Sequence, residues 1–235
     1  MNAKMERKQD IRRALVDTIP VMTGYIFLGF GFGLLLQSNG YNAWWALLMS
    51  VTVYAGSMQY VAVGLLAGGA GLVYTALTTL TVNARHLFYG ISLVEKYKGT
   101  GKAKPYLIFS LTDETYSLVC GENAGRQAND RNRYFLLVSL FNHIYWITGS
   151  VLGAVLGEIL PLNTTGIDFA LTALFITIFV EQWLSTKEHR PALIGVGISV
   201  ICLLIFGESF LIPSLVCITA LLLLLQKRGK EAAHD

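Results

Sequence analysis

Arginine and histidine stand side by side at positions 85 and 86, in VNARHLFYG, inside an apolar run over 72–94 that is long enough to cross a bilayer. Asp113 and Glu114 follow in a short segment over 106–120. A charged group in hydrocarbon costs at least about 2.5–3.5 kcal/mol on insertion scales, so each of these side chains needs a partner. A guanidinium stays protonated and must find an acid, backbone carbonyls, water or an anionic ligand. Three readings of Arg85 are therefore open. It can form an ion pair with Asp113 or Glu114 that pins the short segment, seat a substrate carboxylate directly or indirectly, or snorkel to the interface. The first two are compatible, since an Arg that holds an acid in one conformation can receive a carboxylate in another.

Histidine is the side chain whose ordinary titration falls near neutrality, so His86 suits proton exchange, although a hydrogen-bonded packing role is the plainer reading. Asn83 lies one turn before it and can share its face. His86, Asp113 and Glu114 are the candidates for proton coupling or ion pairing. His143, in FNHIYW, fits a contact between helices, and Glu181, in VEQW, fits the solvated edge of a span.

The elements that must position these groups are membrane helices. Of the 235 residues 54% are hydrophobic and only 14% charged, and the mean hydropathy is +0.53, whereas charged residues make up about 25% of soluble domains. The composition predicts an all-α, polytopic helical bundle forming one integral membrane domain over 1–235, retained in the bilayer with no cleaved leader. Cys120, Cys202 and Cys217 are scattered and read as small buried hydrophobes, with no metal, cofactor or disulfide framework implied.

All of the 18 Lys and Arg residues except Arg85 fall in five short segments: 4–13, 96–104, 126–133, 187–190 and 227–230. The breaks at 38–42, 158–168 and 207–209 carry only the acids Glu158, Asp168 and Glu208. By the positive-inside rule the basic segments and both termini are cytoplasmic, and the net charge of +3 reflects topology rather than a nucleic-acid partner.

Six runs are expected to cross fully: 16–37, 72–94, 134–157, 167–184, 192–206 and 210–226. Two more are expected to be broken or re-entrant, one from each side. Residues 42–66 contain YAGSMQ, where Gly56 and Ser57 can interrupt a helix, and a plain crossing there would put the four-lysine loop outside. Residues 106–120 span only about 22 Å at 1.5 Å per residue, and both flanks are basic. Eight crossings form the competing arrangement. Interrupted helices that meet near the midplane expose backbone groups able to bind substrate, which makes Gly56, Ser57, Gln59, Asn83, Arg85 and Thr112 the candidate binding residues. The glycines of GYIFLGFGFG (Gly24, Gly29, Gly31, Gly33) and of TGSVLGAVLG (Gly149, Gly153, Gly157) fit close helix packing in lipid. Pro20 fits a first turn or a kink, and Trp44 and Trp45 fit an interfacial belt.

YAGSMQYVAVGLL, LTTLTVNARHLFYGISL and FSLTDETYSL, in this order and spacing, resemble the azaleucine-resistance AzlC-type permeases, the large subunit of branched-chain amino-acid exporters. The resemblance covers essentially the whole chain, though YIFLGFGFG lacks a proline that many relatives carry before the phenylalanine. It implies a secondary exporter of valine, leucine, isoleucine or methionine across the bacterial inner (plasma) membrane, driven by an ion gradient. It also implies a small AzlD-type membrane subunit as partner. No Walker A, GxSxG or HExxH motif points to an ATPase or an enzyme. The alternative to a transporter is a passive channel or a structural subunit of a membrane complex.

Overall fold

The structure is a computed structural model describing residues 3–121, 123–160, 166, 168–185, 189–207, 210, 213–214, 216–218 and 221. Most of the expected last span at 210–226, Glu208, Lys187, the basic segment 227–230 and the side chains of Asp168 and Glu181 lie outside the described residues. Every regular element among the described residues is helical: α1 (Ala3–Ser38), α2 (Ala43–Thr52), α3 (Gly56–Ala67), α4 (Leu72–Leu93), a 3₁₀ turn (Gly101–Ala103), α5 (Lys104–Phe109), α6 (Asp113–Cys120), α7 (Arg131–Ile159), α8 (Asp168–Ser185) and α9 (Arg190–Phe206). Lys4–Ser38 and Arg131–Ile159 are long and apolar enough to cross a membrane, while α2, α3 and α9 are shorter apolar helices. Two compact units divide the chain, one of Met1–Ala70 with Asn83–Leu171 and one of Gly71–Val82 with Thr172–Asp235.

In the first unit α1 and α7 lie side by side and parallel. Asp10 meets Arg133 at one end, and Gly157 lies against Leu34 and Gln37 at the other. Glycines make the approach possible. A Cβ at Gly29 would stand 2.9 Å from the Ser150 nitrogen, and one at Gly149 would stand 2.7 Å from the Ile26 carbonyl. At Gly33 and Gly153 a Cβ would overlap the carbonyl oxygens of Ser150 and Phe30. Such backbone proximity supplies van der Waals contact where lipid removes the hydrophobic drive between helices. Gly24 meets nothing, and Gly31 instead admits the Tyr60 hydroxyl. Because α1 starts at Ala3, Pro20 lies in its interior rather than in a first turn.

Two helical hairpins pack against this pair from opposite ends. The α2 amino terminus is tied by the Ala43 N–H to Glu158 Oε1 (2.9 Å), and α2 descends α7 until the Ser50 carbonyl accepts from His143. The chain breaks at residues 53–55, where Tyr54 adopts φ 42°. From there α3 climbs back, with Gly56 against Trp146 and the Tyr60 hydroxyl donating to the Leu28 carbonyl (2.6 Å). At the basic end α5 and α6 make the second hairpin, broken at residues 110–112, where the Thr112 hydroxyl caps α6 by accepting from the Thr115 N–H (3.2 Å). Leu107 and Val119 from its two arms share a buried cluster with Ala14, Tyr97, Phe135 and Val138.

Three basic segments thus gather at one end of this unit. Arg13 donates to Gln127, and Asn132 Nδ2 donates to the Gly99 carbonyl (3.1 Å). Lys96 donates to the carbonyls of Cys120 and Gly121. The α1 amino terminus, the 96–104 loop and the 126–133 loop are therefore neighbours.

In the second unit His189, ahead of α9, stacks on Trp183 of α8 at 4.0 Å between ring centroids. Cys202 is buried as expected, but Cys120 and Cys217 are exposed free thiols, which corrects the reading of all three as core residues. Trp44 and Trp45 are exposed, and large apolar side chains such as Phe27 (75% exposed) and Phe88 (70%) point outward. A surface of that kind suits lipid.

Candidate functional site

The breaks of the two hairpins bring polar groups to one place in the first unit. Arg85 of α4 forms an ion pair with Asp113, the first residue of α6 (Nη2 to Oδ2, 2.8 Å), and the same nitrogen donates to the Ser57 hydroxyl at the start of α3 (3.0 Å). Tyr89, one turn after Arg85, donates to Asp113 Oδ1 (2.6 Å). One guanidinium thus links three elements, α4, α6 and α3. The pair is incomplete: Arg85 Nε and the Asn83 Oδ1 are both buried with no hydrogen-bond partner. A buried donor left unpaired costs about 1–3 kcal/mol.

Glu114 turns to a different set of groups. Its Oε2 accepts from the Tyr25 hydroxyl of α1 (2.7 Å), and that hydroxyl lies 2.5 Å from Thr112 Oγ1. Thr112 Oγ1 is 3.0 Å from Thr115 Oγ1, which accepts from Asn142 Nδ2 of α7 (3.0 Å). The sequential neighbours Asp113 and Glu114 therefore differ in kind, one facing a cation and the other a chain of hydroxyls.

Gly56 and Gln59 support the site from outside this polar cluster. Gln59 is fully buried, accepts from Trp146 Nε1 (2.9 Å) and donates to Ser50 Oγ (3.3 Å). At Gly56 the absent side chain leaves room for the Trp146 ring, 3.0 Å from a would-be Cβ. His86 likewise stands apart. Its Nδ1 pairs with the Asn83 carbonyl of its own helix (3.3 Å), its ring meets Tyr89 edge-on, and its influence on Asp113 is through space. His143 takes the expected helix-contact role, bridging the Ser50 carbonyl (Nε2, 3.0 Å) and the Tyr106 hydroxyl (Nδ1, 3.1 Å).

Sequence reasoning did not identify Tyr25, Tyr54, Tyr89, Thr115, Asn142 or Trp146. Tyr89 could have been found from its spacing of four from Arg85. Asn142 stands beside His143 in the sequence and carries the same hint. Tyr54 is held in the left-handed region, uncommon for a bulky residue, and stacks on His143 at 4.0 Å. Nothing in the sequence distinguishes Tyr25 and Trp146 from other aromatics of apolar spans.

Residues 20–160 match the family described as AzlC protein. The chain is 42% identical to the branched-chain amino acid transport protein AzlC of Bacillus subtilis, over 99% of this chain and 93% of that protein. It is 40% identical to an uncharacterised membrane protein of Haemophilus influenzae, over 87% and 84% of the two chains. To the Escherichia coli inner membrane protein YgaZ it is 27% identical, over 75% and 73%. No solved structure matches. The order and spacing of the three segments around Ser57, Arg85 and Asp113 and the match along the length of the chain have one explanation: it is a membrane protein of the AzlC family.

Proposed function

We propose that the protein is a secondary exporter of branched-chain and other neutral hydrophobic amino acids, proton-coupled and working with a small AzlD-type subunit in the bacterial inner membrane. The whole of 1–235 serves as one transporter domain. The carrying observation is the Ser57–Arg85–Asp113 bridge, in which one cation is shared by the broken tips of two hairpins that approach from opposite ends. A zwitterion needs a cation or helix amino terminus for its carboxylate and an acid or carbonyls for its ammonium, and interrupted helices supply both. In this scheme Arg85, held by Ser57, exchanges Asp113 for the substrate carboxylate, Asn83 and Thr112 offer further polar groups to the substrate, and Gly56 and Gln59 hold the α3 tip in place.

The gathering of basic segments supports the topology. If that end is cytoplasmic, as positive charge favours, α1, α4 and α7 cross and each hairpin returns to the side from which it entered. With α8, α9 and the last apolar run that the sequence predicts, the reading is six crossings and two cytoplasmic termini.

Reconstitution with and without the small subunit tests the reading. Concentrative leucine or valine flux that responds to an imposed proton gradient is the expected result. Passive flux in both directions would make the protein a channel, and no flux at all would leave a structural subunit.

A further inference from the structure

We propose that Glu114 is the group that binds a proton during transport, and that the hydroxyls of Tyr25, Thr112 and Thr115 reverse their direction of donation when that proton arrives. The inference rests on reading the chain as a gradient-driven transporter and goes further by choosing between its two adjacent acids. Asp113 is already neutralised by Arg85 at 2.8 Å and holds Tyr89 on its second oxygen. Glu114 accepts from the Tyr25 hydroxyl and from its own backbone N–H, both neutral donors. The titratable and charged groups that face it are Tyr25 of α1, Tyr54 at the break between α2 and α3, Arg85 of α4, which is committed to Asp113, and Asp113 itself.

The hydrogen-bond count supports two complete states. Glu114, Tyr25, Thr112, Thr115 and Asn142 form an unbroken line with heavy-atom spacings of 2.7, 2.5, 3.0 and 3.0 Å. A hydroxyl donates one proton and can accept two, and Thr115 accepts from both Thr112 and Asn142, so the donors of the line can be set in more than one sense. With Glu114 charged, Tyr25 donates to the carboxylate and can accept from Thr112, which requires the Thr112–Thr115 bond to turn from the sense it has in the structure, where Thr112 donates; the Asn142 amide donates to Thr115. When Glu114 carries a proton, its own O–H donates to Tyr25 and each hydroxyl turns to the next, until Thr115 donates to the amide oxygen of Asn142. No hydroxyl gains or loses a proton, and only the carboxyl group does. The second state needs an acceptor at the far end. Asn142 Oδ1 is buried with no partner and reaches Thr115 by a half-turn of the amide. Because the line runs from α1 through the α6 cap to α7, protonation at Glu114 reorients a bond at each of these helices.

Infrared difference spectroscopy of the purified full-length protein, taken through an acid titration, reads this directly. Wild type is expected to gain, apart from the bands of its water-exposed carboxyl groups, a carbonyl stretch at the frequency of a buried carboxylic acid hydrogen-bonded to a single hydroxyl. The band should vanish in Glu114→Gln, persist in Asp113→Asn and shift in frequency in Tyr25→Phe, which takes away the partner of the acid. Absence of the band from wild type, or its survival in Glu114→Gln, overturns the assignment of Glu114. An unshifted band in Tyr25→Phe overturns the hydroxyl line. In vesicles, leucine flux should follow an imposed pH gradient in wild type and lose at least about tenfold of that response in Glu114→Gln. If wild type moves no leucine, the proposed function fails while the infrared band still decides on Glu114.

Discussion

Asp10 with Arg133 and Asp113 with Arg85 are the same chemical pair placed in two parts of the first unit. At the basic end Asp10 is 1% exposed and fully committed. It accepts from Arg133 Nη1 (3.1 Å), from the Asn129 N–H (2.8 Å) and from Asn129 Nδ2 (3.2 Å). These partners all belong to the loop before α7 and its first turn, so the pair joins two parallel helices that also touch along their lengths. The Arg85 pair joins three elements, two of them helices that start at chain breaks, and leaves a guanidinium nitrogen idle. A buried ion pair is weak evidence for stability by itself; whether its remaining hydrogen-bonding capacity is spent separates a staple from a site.

Removing the site cation should have the largest effect. Arg85→Ala takes away the charge partner of a half-buried acid and the proposed seat of the substrate carboxylate, and should lower leucine export at least about tenfold with the protein still inserted. Asp113→Asn should act in the same direction, and full export in both variants would place the pair outside the mechanism. Exchanging the pair, with Arg85→Asp and Asp113→Arg together, should return the melting temperature toward wild type and leave export at least about tenfold down, because the cation no longer sits between Ser57 and α6. Recovery of export would make this pair a staple like the other.

The basic-end pair should respond in the opposite sense. Asp10→Ala should lower unfolding stability by about 2 kcal/mol, less than for a fully buried pair because Arg133 is partly exposed, with export per folded molecule within about twofold. Thermal unfolding and flux measured on the same preparation check this, and a selective loss of flux would erase the contrast. The smallest effect is expected from Ser57→Ala. It removes one hydrogen bond to a charged group, about 1–2 kcal/mol, and should weaken leucine binding by roughly tenfold while leaving the Arg85–Asp113 contact in place.

Much of this arrangement is legible in the chain. Lysines at 96–104, placed where a simple crossing would leave them outside, point to both interrupted segments, and the structure places that loop beside the α1 and α7 amino termini. The first break falls at residues 53–55, just ahead of the expected Gly56, because Gly56 is spent on admitting Trp146 and Tyr54 takes the unusual backbone angle instead. The 106–120 segment proves to be two short helices, with Thr112 capping the second, so Asp113 and Glu114 occupy a helix amino terminus that favours acids. The reading of His86 as an ion-pair partner receives no direct contact, since its hydrogen bond returns to Asn83.

The sequence alone determined that this protein belongs in a membrane, pointed to two interrupted segments, and showed that Arg85 needs a partner. Hydrocarbon penalises charge and unpaired backbone so heavily that each exception to an apolar run carries information. Only the tertiary structure decided that Asp113 takes the cation while Glu114 takes Tyr25, and that Asn142 ends the hydroxyl line. Adjacent residues at a helix start point in different directions, and their partners come from helices separated by 24 to 89 positions in the chain. No local pattern carries that choice.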